Sequence, residues 1–183
     1  PEDLQRVEEN GCIPEAHPHE VSDHAKKRQR EEMGTLGSGN HYLEVQVASY
    51  DRVFDRDRAA AWGIHGRDQV VVMVHCGSRG FGHQVASDYL KVFEKAMRRY
   101  GISVKDQQLA CAPFQSAEGQ DYFAAMNCAA NTAFDNRQVI THQIRESFAA
   151  VFGKPAEALG MEVVYDVAHN IAKVERYPEG ELV

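Results

Sequence analysis

The sequence predicts an α+β fold, with a mixed β-sheet core and long helices. Residues 42–47 and 69–74 have the patterns of β-strands, while apolar residues recur at helical spacing in two longer stretches that follow them. Strands and long helices in separate parts of one chain are typical of α+β proteins. The 183 residues are enough for one ordinary domain with a substantial core.

Three segments are predicted to be strands. In residues 42–47 apolar and polar side chains alternate, which predicts a half-buried strand. Its apolar side is formed by Leu43, Val45 and Val47. Residues 69–74 form a run rich in valine, which is typical of a strand that is buried on both faces. Residues 161–167 are the third candidate, and they would place Asp166, His169 and Asn170 at or just beyond the strand's end.

Two helices are predicted after the second strand. The first follows Gly82 and carries apolar residues at helical spacing up to Tyr100, where Gly101 ends it. The second runs from about Asp121 to Phe152, and Gly153 follows. We interpret its apolar stripe as part of the core rather than as a cofactor site.

Composition and charge exclude several classes of protein. The net charge of −7 argues against a general nucleic-acid coat protein, which needs excess lysine and arginine. A local phosphate site is still compatible with this charge when bound metal ions supply the positive charge. No apolar run approaches the roughly 20 residues that cross a bilayer. We therefore expect no membrane association.

The four cysteines are scattered and form no Cys-x-x-Cys pair. Such a pattern favours a reducing compartment, so we expect a cytoplasmic protein. The chain begins at Pro1 and stops at Val183 without an obvious terminating element, and we expect it to be a segment of a longer protein.

The chain is predicted to have two parts, a polar lead-in over residues 1–33 and a catalytic-type domain over residues 34–183. The lead-in contains a histidine cluster, formed by His17, His19 and His24. These histidines are an open alternative as metal ligands, although Pro14 and Pro18 lie around them and the spacing implies no fixed ligand geometry.

Two glycine loops have the same spacing, at residues 34–39 and 77–82. Glycine permits positive φ and close backbone approach, so such loops either wrap phosphates or make tight turns. Neither loop has the spacing of a P-loop or of a dinucleotide-binding fingerprint.

Three histidines lie at predicted strand ends beside glycine or asparagine: His41, His75 and His169. Imidazole groups on a rigid sheet rim are suitable ligands for a divalent transition metal. These histidines are therefore our candidates for metal binding, although spacing alone does not bring them together.

Four segments resemble signature blocks of the RtcB family of RNA ligases. They are Gly34–Gln46 (GTLGSGNHYLEVQ), Val74–Gln84 (VHCGSRGFGHQ), Ala125–Arg137 (AMNCAANTAFDNR) and Asp166–Glu175 (DVAHNIAKVE). The likeness extends from about Met33 to about Glu175. It implies an RtcB-like fold, of which this chain is the central part.

The resemblance implies a GTP- and manganese-dependent RNA ligase with two Mn²⁺ ions. Such an enzyme joins a 2′,3′-cyclic phosphate or 3′-phosphate RNA end to a 5′-hydroxyl end through a guanylylated histidine. Its substrates are tRNA halves and broken RNA ends, and an archease-like activator is a possible partner.

The resemblance also implies roles for particular residues. His41 is expected to bind the first metal ion, and His75 with His169 the second. The expected GTP-site residues are Asn40, His41, Tyr42, Leu43, Glu44, His169 and Asn170. Arg79 is the expected ligand of a phosphate of GTP or RNA, because guanidinium matches phosphate oxygens bidentately.

Two family blocks are not found in this sequence. One carries a metal-bridging cysteine, and the other carries the histidine that receives GMP. We therefore assign no catalytic residue and expect the chain to be inactive alone. Two alternatives stay open: a non-catalytic metal- and nucleotide-binding module, and a metal-dependent RNA-end phosphatase or cyclic phosphodiesterase.

Overall fold

The structure is a computed structural model that describes residues 2–178 and 180–182. Its helices are α1 (Asp23–Glu32), α2 (Arg56–Ala61), α3 (Gly80–Tyr100) and α4 (Ala117–Phe152). Its strands are β1 (Tyr42–Ala48), β2 (Gln69–His75), β3 (Glu175–Tyr177) and β4 (Gly180–Leu182). Short 3-10 turns lie at Asp3–Arg6, Glu8–Gly11, Pro18–Glu20, Tyr50–Arg52, Gln107–Leu109 and Ala156–Leu159. The predicted α+β class is confirmed.

Both predicted long helices are present. Helix α3 ends at Gly101, whose φ of 66° is left-handed and therefore suits glycine. Helix α4 begins where the Ser116 hydroxyl accepts a hydrogen bond from the Gly119 N–H at 3.1 Å. It ends at Gly153, which is also left-handed.

The core lies among α1, α3 and α4. Its larger cluster consists of Val21, Ala25, Phe81, Val85, Tyr89, Phe93, Ala125 and Cys128. A smaller cluster consists of Val7, Ile13, Ala130 and Phe134. The lead-in over residues 1–33 is polar in composition, yet it contributes four of these buried side chains. They pack against α3 and α4.

The sheets are antiparallel pairs rather than a mixed sheet. Strand β1 pairs with β2 in a register that sets Tyr42 opposite His75 and Ala48 opposite Gln69. Residues 49–68, which include α2, connect the two strands. Strands β3 and β4 form a second, smaller pair.

The predicted burial of the first two strands is wrong. Val45 and Val47 on β1 are 60% and 56% exposed, and Val70 on β2 is 54% exposed. Within residues 2–178 and 180–182 no third strand joins this pair. Solvent consequently reaches side chains whose pattern is that of a covered strand.

The predicted third strand at residues 161–167 is also not formed. This segment makes a single parallel bridge, between Val7 and Asp166. The Glu8 N–H donates to the Asp166 carbonyl at 2.8 Å, and the Asp166 N–H donates to the Arg6 carbonyl at 2.9 Å. Its neighbour is a short segment between two 3-10 turns, which offers too little extended backbone for a ladder.

Candidate functional site

A cleft of about 1750 Å³ lies between the β1–β2 pair, helix α4 and residues 159–171. Its lining is mostly apolar along α4 and β2, and the predicted site residues Asn40, His41, Tyr42, His75, His169 and Asn170 are among those that line it. Concave sites with an apolar lining and a few convergent polar groups are typical ligand sites.

His75 and His169 are in direct contact. Their Nε2 atoms are 2.9 Å apart, and their rings stack with centroids at 5.1 Å. The other ring nitrogen of His75, Nδ1, lies 3.0 Å from the Asn40 carbonyl oxygen. A carbonyl only accepts, so Nδ1 of His75 carries a proton. In the neutral form of this tautomer, Nε2 carries the lone pair and faces His169.

His41 lies beside this pair. Its ring centroid is 5.9 Å from that of His75. Its Nδ1 atom faces Nη1 of Arg79 at 3.4 Å, so that nitrogen is placed to accept from the guanidinium. Tyr42 stacks on His75 with an interplanar angle of 16°. The structure thus brings the three histidines from separate segments into one cluster.

The His75–His169 pair fits a metal ion in part. Two imidazole nitrogens at about 2.1 Å from one ion are separated by roughly 3 Å when they occupy adjacent coordination positions. A backbone carbonyl on the other ring nitrogen is the usual orienting contact for a metal-bound histidine. Across the described part of the chain, however, no group of three or more His, Cys, Asp or Glu side chains is arranged to hold a metal ion. The pair therefore provides two ligands of an incomplete set.

Arg79 is held by the chain's own groups. Its backbone φ of 57° is left-handed, which is rare for a side chain of this size. Its Nε donates to the Thr35 hydroxyl at 3.1 Å, and Nη2 is 3.9 Å from a Glu32 carboxylate oxygen. The guanidinium lies so close to Gly37 that a Cβ there would be 1.8 Å from Nη1. Arg79 therefore reaches from the second glycine loop across the first.

The backbone amides at the start of α3 have partners within the protein. The Gly80 N–H donates to the Glu32 carboxylate at 2.8 Å, and the Gly82 N–H donates to the Ser78 hydroxyl at 3.1 Å. The Gly80 hydrogen bond is the main reason that the pKa of Glu32 is below its ordinary value. The second glycine loop thus binds the protein's own carboxylate at this helix start. The assignment of Arg79 to an external phosphate stays a prediction.

Asn136 on α4 forms hydrogen bonds to both glycine loops. The sequence pattern did not indicate this role. Its side chain is 1% exposed, and its Oδ1 accepts from the Gly34 N–H at 2.7 Å. Its Nδ2 donates to the carbonyls of Thr35 at 3.2 Å and Gly77 at 3.0 Å. Its burial cannot be read from the sequence, which shows only a polar residue between Asp135 and Arg137.

Arg137, the next residue of α4, was missed in the same way. Its Nε donates to Oδ1 of Asp166 at 2.6 Å, and its Nη1 donates to the Cys76 carbonyl at 2.9 Å. Burial raises the pKa of the Asp166 carboxyl, and this effect exceeds the lowering by Arg137. Burial also raises the pKa of the Cys76 thiol.

Two of the residues predicted to bind GTP lie outside the cleft. Leu43 is 40% exposed and Glu44 is exposed, and neither lines the cleft. The Glu44 carboxylate accepts from Gln46 at 2.5 Å. In the alternative cluster, His17 stacks on His19, which lies 3.0 Å from the Glu20 carboxylate.

Two further findings concern the cysteines and the helices. The four cysteines are free. Every helix in residues 2–178 and 180–182 is too short or too polar to cross a membrane.

Comparison with known proteins identifies the family. The sequence model described as tRNA-splicing ligase RtcB matches residues 1–183. Proteins named tRNA-splicing ligase RtcB from Methanocaldococcus jannaschii, Methanococcus maripaludis and Pyrococcus furiosus are 57%, 55% and 58% identical to this chain, over 96% of its length. The chain spans 18% of the first and third of these relatives and 36% of the second. Because the family model covers the sequence from end to end, the chain belongs to the tRNA-splicing ligase RtcB family.

Proposed function

We propose that this chain forms part of the active centre of a GTP- and manganese-dependent RNA ligase. The complete enzyme would join 2′,3′-cyclic phosphate or 3′-phosphate RNA ends to 5′-hydroxyl ends through a guanylylated histidine. Family membership supports the reaction class. The observation that carries the proposal is the contact between His75 and His169, with the tautomer of His75 fixed by the Asn40 carbonyl.

In this proposal His75 and His169 hold one Mn²⁺ ion and His41 contributes to a second. When bound, the two ions would neutralise phosphate charge during nucleotidyl transfer. The Nδ1–H of His75 donates to the Asn40 carbonyl, which would leave Nε2 as the ring nitrogen that binds the ion. Further ligands of both ions would come from groups other than these three histidines.

The nucleotide would bind in the cleft beside the histidines. Asn40, Tyr42 and Asn170 line that end of the cleft. Tyr42, which is 36% exposed and lines the cleft, would pack on the guanine base. Arg79 would take a phosphate of GTP or of the RNA end while keeping its contact with Thr35.

The chain alone is proposed not to accept GMP, since the family block with the receiving histidine is not found in it. RNA ends are the proposed substrates, and an archease-like protein is a proposed activator.

The first experiment measures Mn²⁺ binding to the chain by the loss of the free-ion electron paramagnetic resonance signal. We expect His75→Ala and His169→Ala to weaken binding at least about tenfold. The control is His142→Ala, because His142 is an exposed residue of α4 that does not line the cleft and belongs to neither histidine cluster. Equal binding by all three variants would contradict the proposed site.

A second experiment incubates the chain with Mn²⁺ and α-labelled GTP. We expect no covalent label on the protein. A label that is stable in base and labile in acid would show that a histidine of this chain accepts GMP. Release of phosphate from a 3′-phosphate RNA end, without any label, would instead favour the phosphatase alternative.

A further inference from the structure

The segments that carry His75 and His169 both form hydrogen bonds to one side chain of α4, that of Arg137. We propose that Arg137 is a positioning residue that sets the separation between His75 and His169. The purpose of that separation, metal binding, rests on the proposed function, whereas the positioning role rests on the contacts alone.

Arg137 contacts both segments at once. Its Nε bonds to Asp166, three residues before His169, and its Nη1 bonds to the carbonyl of Cys76, the residue after His75. The side chains of Arg137 and Asp166 are 11% and 16% exposed, so water competes little for these bonds. A shift of either segment would break one of the two contacts.

A guanidinium is suited to this task because its donors form a rigid planar fork. Two of its N–H groups are used in different directions, one toward a carboxylate and one toward a backbone carbonyl. The centroid of the Phe134 ring lies 5.1 Å from the guanidinium carbon, a distance at which the ring attracts the cation. A lysine at this position would retain the charge but would not reproduce the fork.

The His169 segment has a second anchor. The Glu8 carboxylate accepts from the Ala168 N–H at 2.8 Å and also pairs with Lys173 at 2.9 Å. This anchor joins the segment to the N-terminal turns, as do the backbone hydrogen bonds of Asp166 to Arg6 and Glu8. Loss of the Arg137 fork should therefore leave the segment attached and change its offset from His75.

Helix α4 contains a matched control. Arg145 forms a bidentate pair with Asp3, with bonds of 2.6 and 2.9 Å, and the two side chains are 24% and 20% exposed. Its chemistry and burial resemble those of the Arg137–Asp166 pair. It joins α4 to the Asp3–Arg6 turn and to the Met161 carbonyl, and contacts neither histidine.

The experiment compares Arg137→Lys with Arg145→Lys in the whole chain. Proton–nitrogen NMR of ¹⁵N-histidine-labelled protein, at one fixed pH, detects the proton shared between Nε2 of His75 and Nε2 of His169. Manganese affinity and the thermal midpoint are measured on the same samples. We expect Arg137→Lys to lose the shared-proton signal and to bind Mn²⁺ ten- to a hundredfold more weakly. Arg145→Lys should retain the signal and bind within twofold of the original chain.

A second pair of variants tests the other end of the contact. Asp166→Ala removes the acceptor and should reproduce the Arg137→Lys result. Asp166→Asn retains an oxygen that accepts from Nε, so the shared-proton signal should persist. These two variants decide the matter if Arg137→Lys does not fold.

Three results would overturn the proposal: no shared-proton signal in the original chain, an unchanged signal in Arg137→Lys and Asp166→Ala, or equal losses in Arg145→Lys. A signal that Arg137→Lys abolishes, in a chain that does not bind Mn²⁺, would support the positioning role and refute the proposed function.

Discussion

The helical layer, formed by α1, α3 and α4, and the cluster of His41, His75 and His169 are held by different kinds of interaction. In the layer, side chains such as Phe81 and Val85 are 3% exposed, and apolar packing fixes the helices. The histidines of the cluster are instead fixed by directional contacts. The β1–β2 pair beside them has valines that are more than half exposed. Apolar packing therefore stabilises the helices, whereas directional contacts position the histidines.

Helix α4 belongs to both regions. Its residues Ala125 and Cys128 are part of the larger core cluster. Further along, Asn136 and Arg137 turn polar groups toward the glycine loops and the histidine-bearing segments. Apolar packing thus places the helix, and the helix places the site.

The largest difference between the regions should appear on truncation of apolar side chains. Phe93 is 8% exposed and packs edge-on against Tyr122, so Phe93→Ala should lower the free energy of unfolding by about 3–5 kcal/mol. Val45 is 60% exposed, and Val45→Ala should change it by about 0.5 kcal/mol or less. Urea unfolding measures both values. Similar losses would mean that the β1–β2 pair is as tightly packed as the helices.

Removal of Asn136 should have the next largest effect, because it affects both regions. Asn136→Ala removes one hydrogen-bond partner from the Gly34 N–H and from each of the carbonyls of Thr35 and Gly77, and we expect the free energy of unfolding to fall by about 2–4 kcal/mol. Asn131→Ala on the same helix removes contacts to one residue, Ile13, and should cost less. Unfolding in urea compares the two, and equal losses would argue against Asn136 as the link between the loops.

The smallest predicted effect is specific to low pH. Pairing with Arg145 lowers the pKa of Asp3 from 3.8 to about 2. Because the pKa is lower in the folded state, the Asp3 carboxylate stabilises the protein at pH values above its ordinary pKa. This contribution is lost as the pH falls from about 4 to 2. This difference between the two pKa values of Asp3 corresponds to about 2 kcal/mol in the free energy of unfolding.

Asp3→Asn should therefore destabilise the protein at neutral pH and flatten the stability profile between pH 4 and 2. The control is Asp23→Asn, because the Asp23 side chain is fully exposed at 105%. Unfolding free energies at several pH values test this. An identical slope in Asp3→Asn and the original chain would show that Asp3 is not responsible.

Some of these features could be predicted from the sequence because they depend on local pattern. The helices follow from apolar periodicity and from the glycines at 101 and 153. The burial of β1 and β2 could not be predicted, because it depends on which elements cover the strands. The role of Arg137 depends on two segments that meet only in the folded chain, at residues 76 and 166.

The position of Arg79 over Gly37 restricts how this protein can vary. A Cβ at residue 37 would lie 1.8 Å from the guanidinium and 2.8 Å from Nδ1 of His41. Gly37 also has a φ of 99°, so an L side chain there is strained as well as obstructed. Shortening Arg79 would remove the first obstruction but not the second or the strain. The residues at 37 and 79 are thus coupled, and a double-mutant cycle should show non-additive effects at these two positions.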